Sequence, residues 1–67
     1  MYAVIGKKIK KIRTSKHLTQ AVLAKRAKIS VPFLSFLENG RKKGSLDTYM
    51  RLAKSLNIPL HSLFTGK

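Results

Sequence analysis

The chain predicts an all-α fold, a compact bundle of five short helices in one domain spanning residues 1–67. Three observations carry this. Apolar residues recur at three- and four-residue intervals along most of the chain. Hydroxyl side chains stand at Thr19, Ser30 and Ser45, each just before such a stretch, where an N-cap belongs. At 67 residues a single core is marginal, burying roughly 60% of the chain's surface on folding, so a small bundle that gains from dimerisation fits the length.

Helix 1 is expected over residues 3–15, with Ile5, Ile9 and Ile12 on one face and Lys7, Lys8, Lys10 and Lys11 around the remainder. Helix 2 follows over residues 20–27, where Leu23, Ala24 and Ala27 recur at helical spacing and Thr19 supplies the cap. The methyl side chain of Ala24 lets a following helix cross closely. After an interruption at Lys28, Ile29, Leu34 and Leu37 resume the apolar face, giving helix 3 over residues 31–39. Ser30 is its cap, and because Pro32 lacks an N–H, the hydroxyl must bond Phe33. Asn39-Gly40 closes it, since glycine accepts the left-handed backbone of a helix stop.

Residues 40–44 carry Arg41, Lys42 and Lys43 between two glycines. Ser45 then caps helix 4, with Asp47 in the first turn where the macrodipole favours an anion, and Leu46, Tyr49, Leu52, Ala53 and Leu56 as its buried stripe. Asn57 is the expected left-handed stop. Pro59 opens a fifth short helix through Phe64, whose Leu60, Leu63 and Phe64 are too apolar to stay wet on so small a body.

Charge narrows the function. Fifteen Lys and Arg face two acids for a formal charge of +13, and residues 1–43 hold twelve of those bases with Glu38 as their one acid. Such a surface supplies the sequence-independent part of DNA affinity through counterion release and predicts steep salt dependence. An enzyme is disfavoured: there is no cysteine, and His17 and His61 lack an evident carboxylate partner, so no metal set, cofactor or small-molecule ligand is expected. No apolar run approaches about 20 residues, and Lys7 and Lys8 interrupt any signal-peptide core. The expectation is a cytoplasmic protein. The basic amphipathic stretch IGKKIKKI could lie on an anionic membrane, but its isoleucines have a partner in the Leu23, Leu34 and Leu52 faces.

The ordered set LTQ, LA, the turn Ala27-Lys28-Ile29-Ser30, FLSFLENGR and SLDTYMRLAKSLNIPLHSLF resembles the Cro/repressor-type helix-turn-helix family of bacterial and phage regulators, over about residues 5–64. The resemblance implies a lambda-repressor-like five-helix bundle with the helix-turn-helix formed by helices 2 and 3. It also implies operator binding on double-stranded DNA as a homodimer, joined through the carboxy-terminal Leu60, Leu63 and Phe64.

Matched by position, Val31, Pro32, Ser35 and Phe36 fall on the base-reading sites of helix 3. Three of the four offer apolar contact to thymine methyl groups rather than hydrogen bonds, which favours a T-rich half-site. Gln20 falls where the family's glutamine touches a phosphate and braces the recognition helix. Thr19 and Ser30 flank the same phosphate path chiefly as caps, and Asn39, Arg41, Lys42 and Lys43 are placed to grip backbone or a narrow minor groove. Arg13 and Glu38 match a structural ion pair. Lys28 stands where the family prefers glycine, at a cost of about 1 kcal/mol if its φ is positive. Val22 replaces the acid of a capping box and, with Ala21, leaves an apolar spot. That spot keeps a second reading open, in which the same face binds a protein such as RNA polymerase, a toxin or an inhibitor.

Overall fold

The computed structural model describes residues 1–64, which form four α-helices: α1 (Tyr2–Ser15), α2 (Gln20–Ala27), α3 (Val31–Glu38) and α4 (Leu46–Ser55). The fifth helix of the sequence reading is a correction: Leu60–Leu63 is a single 3₁₀ turn. Its bonds run from Ser62 N–H to the Pro59 carbonyl and from Phe64 N–H to His61, both 3.0 Å and both three residues back. Asn57 at φ 59° has already turned the chain away from α4, and Pro59 sits extended before the turn. The four residues of the turn are too short a run to nucleate an α-helix.

Each described α-helix ends in the same way. His17, Lys28, Gly40 and Asn57 take φ of 59°, 59°, 72° and 59°. The next residue in each case donates its N–H back across the turn: Leu18 to Arg13, Ile29 to Ala24, Arg41 to Phe36 and Ile58 to Ala53, at 2.9–3.1 Å. In three of these stops the donating residue is apolar, and Leu18, Ile29 and Ile58 fold back against the core. After α3 it is Arg41, which stays exposed. The chain is pinned inward after α1, α2 and α4 and turned out to water after α3, which is how the basic loop comes to the surface.

The helix starts are equally local. Thr19, Ser30 and Ser45 lie in extended backbone, and their hydroxyls accept the N–H groups of Val22, Phe33 and Thr48 at 3.1 Å. The second of these passes over Pro32, which has no N–H to offer.

The core lies between α1 and α3 on one side and α2 and α4 on the other, with the 3₁₀ turn packed on α4 and α1. Ile5, Ile9, Leu23, Leu34, Leu37, Leu52 and Leu56 fill it, with Ala24 and Ala27 buried on α2. Leu46 does not join them and is 61% exposed. At 100° per residue the buried face of α4 runs through Thr48, Tyr49, Leu52, Ala53 and Leu56, and Leu46 falls at its edge in the first turn. Gly6 marks a close approach between two helices. A β-carbon built there would lie 1.7 Å from the Leu37 carbonyl oxygen, so the α1 backbone touches the α3 backbone directly. No helix among the described residues is long and apolar enough to cross a membrane.

Candidate nucleic-acid interface

The outward face of α3 carries Val31, Pro32 and Phe36 exposed and Ser35 half-buried, while Leu34 and Leu37 on the opposite face are buried. Amphipathic spacing divides the helix this way, but its outer side is unusually apolar for a surface. Ser35 Oγ accepts from Asn39 Nδ2 at 3.4 Å. The helix ends at Asn39 and Gly40, and Arg41, Lys42 and Lys43 emerge beside them, all exposed. Lys42 curls back: its Nζ lies 4.9 Å from the centre of the Phe36 ring. The aromatic at the middle of α3 and the middle cation of the loop thus form one unit.

The turn before α3 is held through both the N–H and the carbonyl of Lys28. Lys28 takes the left-handed conformation, with its N–H bonded to the Lys25 carbonyl at 3.2 Å. Its own carbonyl accepts from Arg51 Nη1 at 3.5 Å, and Arg51 Nε also lies 3.2 Å from Asp47 Oδ2. The side chains of Lys25, Arg26 and Lys28 are exposed, extending positive charge along the α2 side.

Behind the outer face is a polar clasp. Arg13 Nε donates to Glu38 Oε2 at 2.7 Å and Nη2 to Oε1 at 3.1 Å, while Nη1 donates to the Leu18 carbonyl at 2.7 Å. Gln20 Nε2 donates to the same Glu38 Oε1 at 2.9 Å. One buried carboxylate therefore ties together α1, the first turn of α2 and the end of α3. The bidentate fork needs the planar guanidinium, and lysine would not reproduce it.

Thr19 and Gln20 lie at the start of α2, Thr19 exposed and Gln20 half-buried. Ser30 is exposed but its hydroxyl is occupied by Phe33 N–H. The loop is also anchored at its far end, where the buried Tyr49 hydroxyl accepts from Gly44 N–H at 3.0 Å. The three cations accordingly project from a segment fixed at both ends.

The carboxy-terminal residues separate. Leu63 is 1% exposed and belongs to the core, which removes its side chain from any outer contact surface. The reason is that the 3₁₀ turn packs against both α4 and α1. Leu60 is half-buried, and Phe64 remains exposed, with its ring edge-on to Tyr49 at 6.0 Å between centroids. Leu60 also borders a groove of about 340 Å³ with Met50, Ala53, Ile58 and the stems of Arg51 and Lys54.

Four contacts were beyond sequence reasoning: Lys42 on Phe36, Gln20 on Glu38, Tyr49 on Gly44, and the approach at Gly6. Only the last left a signal, an isolated glycine inside a helical pattern, which often marks close packing.

The helix-turn-helix family model matches residues 9–63. The chain is 39% identical over 59 residues to the HTH-type transcriptional regulator DdrOP3 of Deinococcus deserti, covering 88% of this chain and 46% of that protein. It is 41% identical over 59 residues to the ImmF control region 10 kDa protein of Bacillus phage phi105, covering 88% and 66%. The chain thus spans about half to two thirds of the length of these curated relatives. Its backbone is similar to that of the restriction-modification controller protein C.AhdI from Aeromonas hydrophila, with a TM-score of 0.91 and 28% identity over 94% of this chain and 96% of that one. The clp gene regulator ClgR from C. glutamicum gives a TM-score of 0.89 and 25% identity, over 94% and 82%.

Proposed function

The chain belongs to the helix-turn-helix family, and from that premise we propose that residues 1–67 form one DNA-binding domain of a transcriptional regulator. In this reading it binds a pseudo-palindromic operator as a homodimer with α3 in the major groove. The observation that carries it is the joining of an exposed α3 face to a basic loop on one side of the molecule. In this reading Val31, Pro32, Ser35 and Phe36 meet the base edges, and the exposed Arg41, Lys42 and Lys43 meet the phosphate backbone. Regulators of transcription among the relatives support it. The mechanism is occupancy of the operator, carried out in the cytoplasm, without a cofactor.

Affinity and specificity come from different residues. The loop cations, together with Lys25, Arg26 and Lys28, attract the duplex irrespective of sequence. Gln20, Thr19, Ser30 and Asn39 line the edges of α3, where polar groups set register on the phosphates. The Arg13, Gln20 and Glu38 clasp holds the helix rigid beneath them. Two-fold symmetry would place the two α3 helices about 34–36 Å apart in successive major grooves. Leu60, Phe64 and the groove beside Met50 are the apolar surface available to join the protomers.

A second reading is favoured by one observation: Val22, Val31 and Phe36 are all exposed apolar side chains in the helix-turn-helix segment, and such residues also suit a protein partner. Selection of binding sites from random duplexes, with a salt titration, separates the two. A two-fold symmetric motif supports the operator reading. Strong binding without any enriched motif, or weak binding to every duplex, overturns it, and the latter favours the protein partner. Sedimentation of the protein with and without the selected duplex tests the dimer.

A further inference from the structure

Two of the hydrogen-bonding side chains around α3 already have partners within the chain. Gln20 Nε2 is committed to Glu38, and Ser35 Oγ receives Asn39. What α3 presents outward is hydrocarbon: Val31 at 41% exposure, Pro32, and Phe36 at 37%. Such a surface cannot distinguish the donors and acceptors of base edges. The major groove offers one apolar mark, the C5-methyl group that thymine carries there. Cytosine methylated at C5 carries the same group at the same place on the pyrimidine ring.

We infer that the Val31, Pro32 and Phe36 surface is a binding site for C5-methyl pyrimidines, so that 5-methylcytosine substitutes for thymine and DNA methylation directly alters affinity. The inference rests on the placement of α3 in the major groove and adds the chemical class that it reads. Phe36 is the central element. Lys42 Nζ covers one side of its ring at 4.9 Å, which fixes the ring and leaves the remaining face and edge for an apolar group. Lys42 is in this respect a positioning residue for methyl reading as well as a cation. Each methyl taken out of water is worth about four-fold in binding.

The test uses four short alternating duplexes, dA–dT, dA–dU, dG–dC and dG–5-methyl-dC, each titrated with the full chain at one salt concentration and read by fluorescence anisotropy. Within each pair only the methyl group differs. The expected result is tighter binding to the methylated member of both pairs, by about four-fold for each methyl contacted. Phe36→Ala, checked for folding by circular dichroism, is expected to shrink that gain in both pairs, lowering affinity for the methylated member by a larger factor than for dA–dU or dG–dC.

Equal binding to dA–dT and dA–dU, or no gain from 5-methylcytosine, overturns the inference. A gain that survives intact in both Phe36→Ala and Val31→Ala also overturns it, because methylation would then act through duplex shape. If binding is methyl-independent but selection from random duplexes still returns a motif, only the methyl inference fails. If no motif emerges and all four duplexes bind alike, the operator reading fails with it.

Discussion

The Arg13 guanidinium grips Glu38 through two nitrogens, at 2.7 and 3.1 Å, and both side chains are buried between α1 and α3. Removing one partner strands the other without water. Breaking a buried pair costs about 3–5 kcal/mol, and a chain of 67 residues has roughly 3–10 kcal/mol in total. Glu38→Ala should therefore lose between about a third and all of its stability at 25 °C, read as a large fall in the urea midpoint followed by circular dichroism. Replacing both with Met and Leu should cost less than Glu38→Ala alone, because no charge is left unpaired.

Gly6→Ala sets two effects of opposite sign against each other. Alanine favours a helix interior over glycine by about 1 kcal/mol. At this position, however, the new methyl would meet the Leu37 carbonyl oxygen at 1.7 Å, and that neighbour is backbone. Two helices must separate, at a cost of about 1–3 kcal/mol and toward the upper end because backbone must move. The clash should win, giving a fall in melting temperature where the propensity scale alone predicts a rise.

The parts of the fold legible in advance were those decided within a few residues. Thr19, Ser30 and Ser45 cap because a hydroxyl in extended backbone reaches the N–H three residues on, and Asn57 and Gly40 stop helices because they tolerate positive φ. His17 takes the same conformation with no composition signal to announce it. The helical periodicity also separated Leu34 and Leu37 from the outer Val31 and Phe36. It misassigned Leu46 to the buried stripe, where its angular position is marginal, and the last turn to a helix, where length and Pro59 override apolar spacing. At the candidate site, residue identities and the pairing of Arg13 with Glu38 were readable by position, but the other partnerships were not. The Lys42 and Phe36 contact depends on how the chain bends after Gly40, and the Gln20 bond to Glu38 on how α2 lies against α3.

Lys28→Gly should stabilise the protein. Lysine at φ 59° carries about 1–2 kcal/mol of left-handed strain, and glycine does not. Against this, glycine raises the entropy of the unfolded chain by about 0.4–1 kcal/mol. The bond from Arg51 goes to the backbone carbonyl and survives the change. A net gain of about 0.5–1 kcal/mol is expected, read as a higher urea midpoint with unchanged slope. A lower midpoint would mean that the lysine stem packs usefully in the turn.

The three loop cations should not behave alike. Arg41 and Lys43 are exposed, and among the described residues no ring contact involves either of them, so their proposed role is charge toward the phosphates. Arg41→Ala and Lys43→Ala should weaken all duplexes by similar factors and lower the dependence of log affinity on log salt by about 0.9 for each phosphate that is no longer neutralised. Lys42 stands over Phe36, and this cation–ring pairing contributes about 0.5–1 kcal/mol at an exposed site. Lys42→Ala frees the ring as well as removing charge, so it should weaken a selected duplex more than a scrambled one. The comparison needs affinities for both duplexes across a salt series. If Lys42→Ala lowers both by the same factor, the pairing with the ring has no part in discrimination. If Arg41→Ala is the one that loses selectivity, base reading reaches beyond the end of α3.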